Sequence, residues 1–300
     1  MERHQLSPLG VLLFALPLAF SFFLPKILLE PSGTGDAEKS VQRLVRYSFT
    51  LKNTTSEHLT DIRFSTFSPV PETPYQSVVS IDASHEFQTV LDELGNQKLV
   101  FDVSGLSPFS SLNVVITAKV ALWSAGRANW QSSGVFSSVR DTASPMSLPE
   151  LIRQTNVRWE GESDQQWLRS VVGWTSETLE RLPYQSRPIG LSETIRNQGG
   201  DCTEFMGVLH ALAADRGLSS IGVSGFISRQ QSKLLKPEDL HNWNLIQSGN
   251  RWLLGDAYYE QASGSADHYI AFDLIPPARM AEPITHRFSI SNSKIDVSMN

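Results

Sequence analysis

The feature that most constrains the fold of this chain is its one cysteine, which lies where a glycine-rich loop gives way to a helix. Cys202 is the only cysteine among 300 residues, so no internal disulfide can hold the chain together and the fold must depend on a buried core. Asp201 is a good N-cap, and Glu204, three residues later, completes a capping box. The motif predicts a helix over residues 201–216 with the cysteine in its first turn.

The position of Cys202 also predicts reactivity. The first turn of a helix offers free N–H groups and the positive end of the helix dipole, and both favour a thiolate. The glycines at positions 199 and 200 let the backbone turn sharply and leave room for a substrate. A lone cysteine can equally be a small buried apolar residue, and that alternative stays open. We predict that Cys202 is a nucleophile.

The stretch from His241 to Asp256 has the pattern of a β-hairpin with a histidine at its start and an aspartate at its end. A two-residue turn at positions 248–249 would place these two residues directly opposite each other on one face of the hairpin. A carboxylate beside an imidazole fixes its tautomer and orients it as a base for a nucleophile. The pattern therefore predicts a catalytic triad of Cys202, His241 and Asp256.

Taken together, these motifs resemble the transglutaminase-like superfamily over roughly residues 147–275. The segments that carry the resemblance are GGDC at 199–202, ADRGL at 214–218, IGVSGF at 221–226, HNW at 241–243 and WLLGD at 252–256. The resemblance implies an α+β chain with a papain-like core, in which Cys202 is the nucleophile, His241 the base and Asp256 the orienting residue. It also implies an oxyanion hole, for which the Cys202 backbone N–H and the Gln198 side chain are candidates.

Other histidines and a metal site are the alternatives to this triad. His210 lies eight residues after Cys202 on the same predicted helix, which places it about 12 Å away, so we interpret it as a packing residue. Four further histidines either lack a partner motif or lie outside the predicted core, namely His58, His85, His268 and His286. No CxxC, HxxxH or HExxH spacing supports a metal site, and we predict neither a metal nor a cofactor.

The composition is that of a globular chain and argues against nucleic acid as a partner. Apolar residues make up 40% of the sequence and charged residues 19%. The net charge is −6, and there is no block of lysine and arginine. We expect a protein or peptide substrate as the partner.

Residues 1–30 are predicted to direct the chain to a membrane. An almost unbroken apolar stretch covers residues 9–24 and resumes at 27–29, after Lys26. Counted together, these residues approach the roughly 20 needed for a membrane span, because Lys26 can snorkel. A cleaved signal peptide is the alternative to a membrane anchor. In either case we expect the bulk of the chain to be extracytoplasmic, in the periplasm or outside the cell.

Residues 37–123 are predicted to form a small, immunoglobulin-like β-sandwich. Apolar residues alternate with polar ones at Val45, Tyr47, Phe49 and Leu51, which is typical of a half-buried strand. The runs at 87–91 and 98–103 predict a hairpin, and 112–122 a further strand. No cluster of catalytic residue types lies here, so a spacer or recognition module is expected. The transglutaminase-like domain follows at 147–275, and residues 276–300 are expected to be a tail.

The sequence thus predicts an extracytoplasmic thiol enzyme that acts on peptide or glutamine amides through an acyl-enzyme. The acyl group could pass to water, giving hydrolysis, or to an amine, giving a crosslink. The alternative is a non-catalytic peptide-binding or envelope-assembly module built on the same fold.

Overall fold

The structure, a computed structural model, describes residues 40–128, 130, 152, 155, 158–185, 187–276, 279 and 288–300. The chain divides into two compact units, Met1–Ala37 and Glu38–Asn300. The described residues all belong to the second unit, which therefore contains both the predicted sandwich and the predicted catalytic region. The predicted N-terminal hydrophobic helix, residues 1–30, lies outside the described residues. Within the described ranges, no helix is both long enough and apolar enough to cross a membrane.

The described part of the chain is α+β, as predicted, and strands dominate it. The helices whose bounds the structure gives are α1 (Asp164–Thr178), α2 (Leu191–Asn197) and α3 (Cys202–Asp215), and Pro237–Asp239 form a 3-10 turn. Its strands are β1 (Val41–Asn53), β2 (Leu59–Phe67), β3 (Glu72–Thr73), β4 (Gln76–Ala83), β5 (Gln88–Leu91), β6 (Gln97–Leu106), β7 (Ser111–Leu122), β8 (Glu180–Arg181), β9 (Gly199–Gly200), β10 (Ser220–Ile227), β11 (Ser232–Leu234), β12 (Leu240–Ser248), β13 (Arg251–Asp256), β14 (Gln261–Ala262), β15 (Tyr269–Ile275), β16 (Phe288–Ile290) and β17 (Ile295–Met299).

Two sheets pack face to face in the first half of the chain and form a sandwich. One has the strand order β11-β1-β7-β4-β3, with β17 also paired to β1, and the other has the order β16-β2-β6-β5. The alternation in β1 is as predicted, since every second residue from Val45 to Leu51 is buried. Phe49 of β1 contacts Phe64 of β2 across the core, with ring centroids 5.2 Å apart.

We predicted a tail at residues 276–300, and this prediction was wrong for residues 288–300. β16 pairs with β2, and β17 pairs antiparallel with β1, so both strands belong to the sandwich. Strands of three and five residues carry too little periodicity to be recognised in the sequence. Their partners also lie in the first strands of the sandwich, far away along the chain.

The second half of the chain is built on a five-stranded sheet of order β14-β13-β12-β10-β15. Helix α3 packs on this catalytic sheet and begins with the predicted capping box. The Asp201 side chain accepts a hydrogen bond from the Thr203 N–H, and the Glu204 side chain accepts one from the Asp201 N–H. A Cβ at Gly200 would lie 2.3 Å from the Glu204 Cβ, so the close approach of the loop requires glycine.

Helix α1 ends at Thr178, because the residues that follow form β8 and pair in parallel with β9, just before Cys202. This pairing joins the end of α1 to the glycine loop. The α1 residue Trp167 is fully buried in the core between α1 and α3.

The sandwich and the catalytic sheet share one apolar core. Phe226 of β10 and Phe272 of β15 belong to the same buried cluster as Tyr47 and Phe49 of β1. Strand β11 lies between β10 and β12 in the sequence but belongs to the sandwich, where it pairs in parallel with β1. The catalytic sheet is therefore supported from the side that faces the sandwich as well as by its helices.

Candidate active site

The hairpin β12–β13 brings His241 and Asp256 to one face, in a register two residues from the predicted one. The turn consists of residues 249–250 rather than 248–249. In this register Asp256 lies opposite Trp243, and His241 is its diagonal neighbour along β12. A shift by two residues preserves the face on which each side chain lies, so the two still meet.

His241 and Asp256 form a short, buried hydrogen bond. The Nε2 atom of His241 lies 2.7 Å from Oδ2 of Asp256, and the two side chains are only 5% and 1% exposed. A carboxylate can only accept, so Nε2 carries the proton and Nδ1 keeps its lone pair. No partner for Nδ1 occurs in the described part of the chain. The imidazole is therefore arranged to accept a proton at Nδ1.

The Asp256 carboxylate is held by two further donors. The Tyr269 hydroxyl donates to Oδ2 at 2.8 Å, and the Tyr259 backbone N–H donates to Oδ1 at 3.1 Å. Burial, followed by the charge of Asp256, raises the pKa of Tyr269, which keeps its hydroxyl protonated as a donor. No sequence motif indicates this role, because Tyr269 reaches Asp256 only through the arrangement of β15 in the sheet.

Cys202 is the first residue of α3 and is half-buried. Its sulfur accepts a hydrogen bond from the Asn242 backbone N–H. The Asn242 side chain in turn donates from Nδ2 to Oγ1 of Thr203 at 3.0 Å. The residues that follow Cys202 and His241 are therefore hydrogen-bonded to each other, which joins the first turn of α3 to β12.

The thiol is more weakly acidic than its position on the helix predicted. Burial, followed by the charge of Asp201, raises the pKa of Cys202 to about 12, and Asp256 and Glu204 add to the increase. The Asn242 N–H opposes the increase without cancelling it. These surroundings favour the thiol over the thiolate, in contrast to the expectation from the helix N-terminus. Burial is the largest cause, and the two carboxylates of the capping box add to it.

Cys202 and His241 line one cavity of about 530 Å³. Its walls combine aromatic, proline and acceptor groups. They are Leu182, Pro183, Tyr184, Gln185, Pro188, Asp201, Cys202, Thr203, Pro237, Glu238, Leu240, His241, Asn242, Tyr258 and Tyr259. Asp256 stands behind His241 and does not line the cavity. The structure therefore brings the side chains of Cys202 and His241 to one cavity, and Asp256 bonds His241 from outside its walls.

The side chain expected in the oxyanion hole is not at the cavity. Gln198 ends α2 in a left-handed conformation with φ of 50° and is exposed. Gln185 lines the cavity instead, and its backbone N–H donates to Oδ2 of Asp201 at 2.8 Å. The side-chain amide of Gln185 has no partner among the described residues. The sequence could not distinguish the two glutamines, because the loop after α1 returns to Cys202 only in the folded chain.

The other described histidines lie away from the cavity. His210 bonds Ser220 from α3, and burial lowers its pKa to about 4, so it is neutral. His268 contacts Asp267 and Arg229, each at 3.3 Å. His58 and His85 are in the sandwich, and position 286 lies outside the described residues. Nowhere in the described ranges do three or more His, Cys, Asp or Glu side chains form a group that could hold a metal ion.

No protein-family model and no curated protein matches this chain. Among solved structures, a candidate cysteine protease from Cytophaga hutchinsonii has a similar fold, with a TM-score of 0.56 and 13% identity over 87% of this chain and 91% of that one. The periplasmic domain of TgpA from Pseudomonas aeruginosa matches with a TM-score of 0.39 and 13% identity, over 83% of this chain and 93% of its own. Legionella pneumophila LapG matches with a TM-score of 0.32 and 14% identity, over 47% and 86%. The chain therefore shares its fold with the Cytophaga protein.

Proposed function

We propose that this chain is a transglutaminase-like thiol enzyme that cleaves or transfers peptide or glutamine amides through Cys202, His241 and Asp256. The observation that carries the proposal is the buried 2.7 Å bond between His241 and Asp256 at the wall of the cavity that contains Cys202. The sequence motifs and the fold shared with a candidate cysteine protease support the same assignment.

In the acylation step His241 acts as a general base. Because the pKa of Cys202 is raised, the resting thiol keeps its proton until Nδ1 of His241 accepts it during attack. The sulfur forms a bond to the amide carbon, and the carbonyl oxygen becomes an oxyanion. The Cys202 N–H, which has no acceptor within the helix, and the Gln185 amide are the donors available to stabilise it. Collapse breaks the C–N bond, and the imidazolium gives its proton to the leaving amine.

The acyl-enzyme then has two fates. Attack by water, with His241 again accepting a proton, releases a carboxylic acid and restores the thiol. Attack by an amine instead forms a new amide bond. Asp256 stabilises the imidazolium in both steps, because it accepts the Nε2 hydrogen bond throughout.

The domain limits and the location belong to the same proposal. Residues 37–123 would form the sandwich domain and 147–275 the catalytic domain, with residues 1–30 as a membrane anchor or signal peptide. The apolar stretch at 9–24 supports an extracytoplasmic location for the catalytic part.

Acylation by p-nitrophenyl acetate tests the assignment without knowledge of the natural substrate. The sulfur displaces p-nitrophenolate and gains an acetyl group, which intact-mass measurement detects on the single cysteine. We expect His241→Ala and Asp256→Asn to lower the acylation rate constant by about 10² to 10⁴. His85→Ala, which removes a half-buried histidine from the sandwich, is the matched control and should leave the rate constant unchanged.

Added methylamine separates the two fates of the acyl-enzyme. Acetate alone as the product would indicate a hydrolase, and N-methylacetamide would indicate an acyltransferase. If His241→Ala acylated as fast as the wild-type chain, the triad would be refuted. The alternative, a peptide-binding or envelope-assembly module on the same fold, would then take its place.

A further inference from the structure

The cavity beside Cys202 is rich in hydrogen-bond acceptors and poor in positive charge. Its described walls include the carboxylates of Asp201 and Glu238 and contain neither lysine nor arginine. Asn242 also lines the cavity, but its Oδ1 is buried and its Nδ2 bonds Thr203, so the two carboxylates supply the negative charge of the walls.

Two cations near these walls, Arg181 and Lys236, already have acidic partners. Arg181 donates to Ser176, Glu260 and the Tyr258 carbonyl, at 2.6 to 2.9 Å. Lys236 lies 3.9 Å from Glu238, and the two side chains are 56% and 69% exposed. An exposed pair at that distance is weak. The charge of Glu238 at the cavity therefore stays largely available to a ligand.

The acidic groups exert their field at the reactive atom itself. Asp201, Asp256 and Glu204 each raise the pKa of the Cys202 thiol, in addition to the larger effect of burial. A negative field that disfavours a thiolate favours a cation at the same place. It disfavours a ligand with a carboxylate for the same reason.

Tyrosines surround the opening of the cavity. Tyr184 is 68% exposed and Tyr259 is 53% exposed, and Tyr258 lies next to them on the wall. The face of a tyrosine ring attracts a cation within about 6 Å. The guanidinium of Arg181 already lies 5.7 Å from the ring centroid of Tyr258, and this tyrosine also lines the cavity.

We propose that this cavity binds a lysine or arginine side chain of a peptide substrate, next to the amide bond that Cys202 attacks. The cleaved bond rests on the proposed function, whereas the preference for positive charge applies to any ligand that reaches Cys202. Peptides with acidic residues around the reactive amide would be poor substrates.

Charged thiol reagents test this preference directly, because Cys202 is the only cysteine of the full chain. A methanethiosulfonate transfers its thioalkyl group to the thiolate, forming a mixed disulfide and releasing methanesulfinate. One probe carries a cationic trimethylammonium-ethyl group and the other an anionic sulfonatoethyl group. The ratio of the cationic to the anionic rate constant in the folded chain is divided by the same ratio in the urea-unfolded chain. At low salt we expect this normalised ratio to be about 10, and to fall towards 1 at high salt.

Two matched variants localise the effect. Glu238→Gln should lower the normalised ratio several-fold. Glu93→Gln removes the same charge from an exposed turn of the sandwich and should leave it unchanged. A normalised ratio of 1 or below, or equal ratios for the two variants, would overturn the proposal.

Peptide protection extends the test to the proposed substrate class. Lysine-containing hexapeptides should slow the reaction of Cys202 with neutral iodoacetamide, and glutamate-containing ones of the same length should not. If lysine peptides protect but p-nitrophenyl acetate fails to acylate the wild-type chain, the charge preference stands and the enzymatic assignment fails. Equal protection by both peptides would count against the charge preference alone.

Discussion

Two buried amide side chains of the sandwich are fully hydrogen-bonded, whereas one in the catalytic sheet has no partner in the described ranges. Gln76 bonds both the N–H and the carbonyl of Ala271, and Asn96 does the same for Leu274. Asn244 of β12 is fully buried as well, but neither of its amide atoms has a partner in the described part of the chain. The sandwich amides therefore stabilise the junction with the catalytic sheet, whereas Asn244 is expected to weaken the fold.

Asn244 is one member of a polar row beneath α3. Asn242, Ser224 and Asp273 each have a buried oxygen without a hydrogen bond in the described ranges. Ser224 pairs with both of the others, so the three lie side by side on neighbouring strands. Burial raises the pKa of Asp273 to about 6 in spite of Arg279 nearby. The difference shows that four of the side chains with a buried polar atom that lacks a partner in the described ranges lie in the catalytic sheet, which also carries His241 and Asp256.

The largest expected effect comes from removing a polar group at the cavity, which should change activity and leave stability unchanged. Gln185→Ala should lower the p-nitrophenyl acetate acylation rate constant by about 10² to 10³, because it removes an oxyanion donor. Alkylation by iodoacetamide forms no oxyanion and should keep its rate constant. Gln198→Ala, at the exposed end of α2, is the control and should match the wild-type chain in both reactions. Parallel losses in acylation and alkylation would instead indicate that Gln185 only holds the loop.

A smaller effect, on stability alone, is expected from the sandwich side of the comparison. Asn96→Leu leaves the N–H and carbonyl of Leu274 buried without partners, so the free energy of unfolding should fall by about 3 kcal/mol. Urea denaturation measures this change. The acylation rate constant per folded molecule should stay the same. A loss below about 1 kcal/mol would show that these bonds contribute little to the junction.

The smallest effect is expected from an asparagine-to-leucine substitution in the catalytic sheet, which should stabilise the fold instead of destabilising it. Asn244→Leu removes two unpaired buried polar atoms at similar volume, so the free energy of unfolding should rise by about 1 kcal/mol. The melting temperature should then increase by roughly 2–4 °C. A decrease comparable to that of Asn96→Leu would mean that bound water satisfies Asn244, and the contrast between the two regions would disappear.

Features that depend only on residues close together in the chain were predictable from the sequence. The alternation in β1 needs only neighbouring residues, and the capping box of α3 needs only Asp201 and Glu204. The facing positions of His241 and Asp256 were also predictable. The turn lies at 249–250, so the register differs from the predicted one by two residues, and both side chains stay on the predicted face of the hairpin.

Features that depend on distant parts of the chain were not predictable in this way. The pKa of Cys202 is set mainly by burial, and β17 pairs with β1, which lies far away along the chain. Gln185 was overlooked in favour of Gln198, which is closer to the cysteine in sequence. In each case the decisive contact is made by tertiary packing, which residue spacing does not contain.

The position of β1 has a consequence for how this protein is made. One edge of β1 is covered partly by β11 and partly by β17, whose register runs from Phe49 with Met299 to Asn53 with Ile295. At about 5–20 residues per second, a ribosome needs on the order of ten to fifty seconds to reach β17 after β1 has emerged. During that time the long strand has an open edge, which can pair with other chains. The sandwich is the first part to be synthesised and the last to be closed.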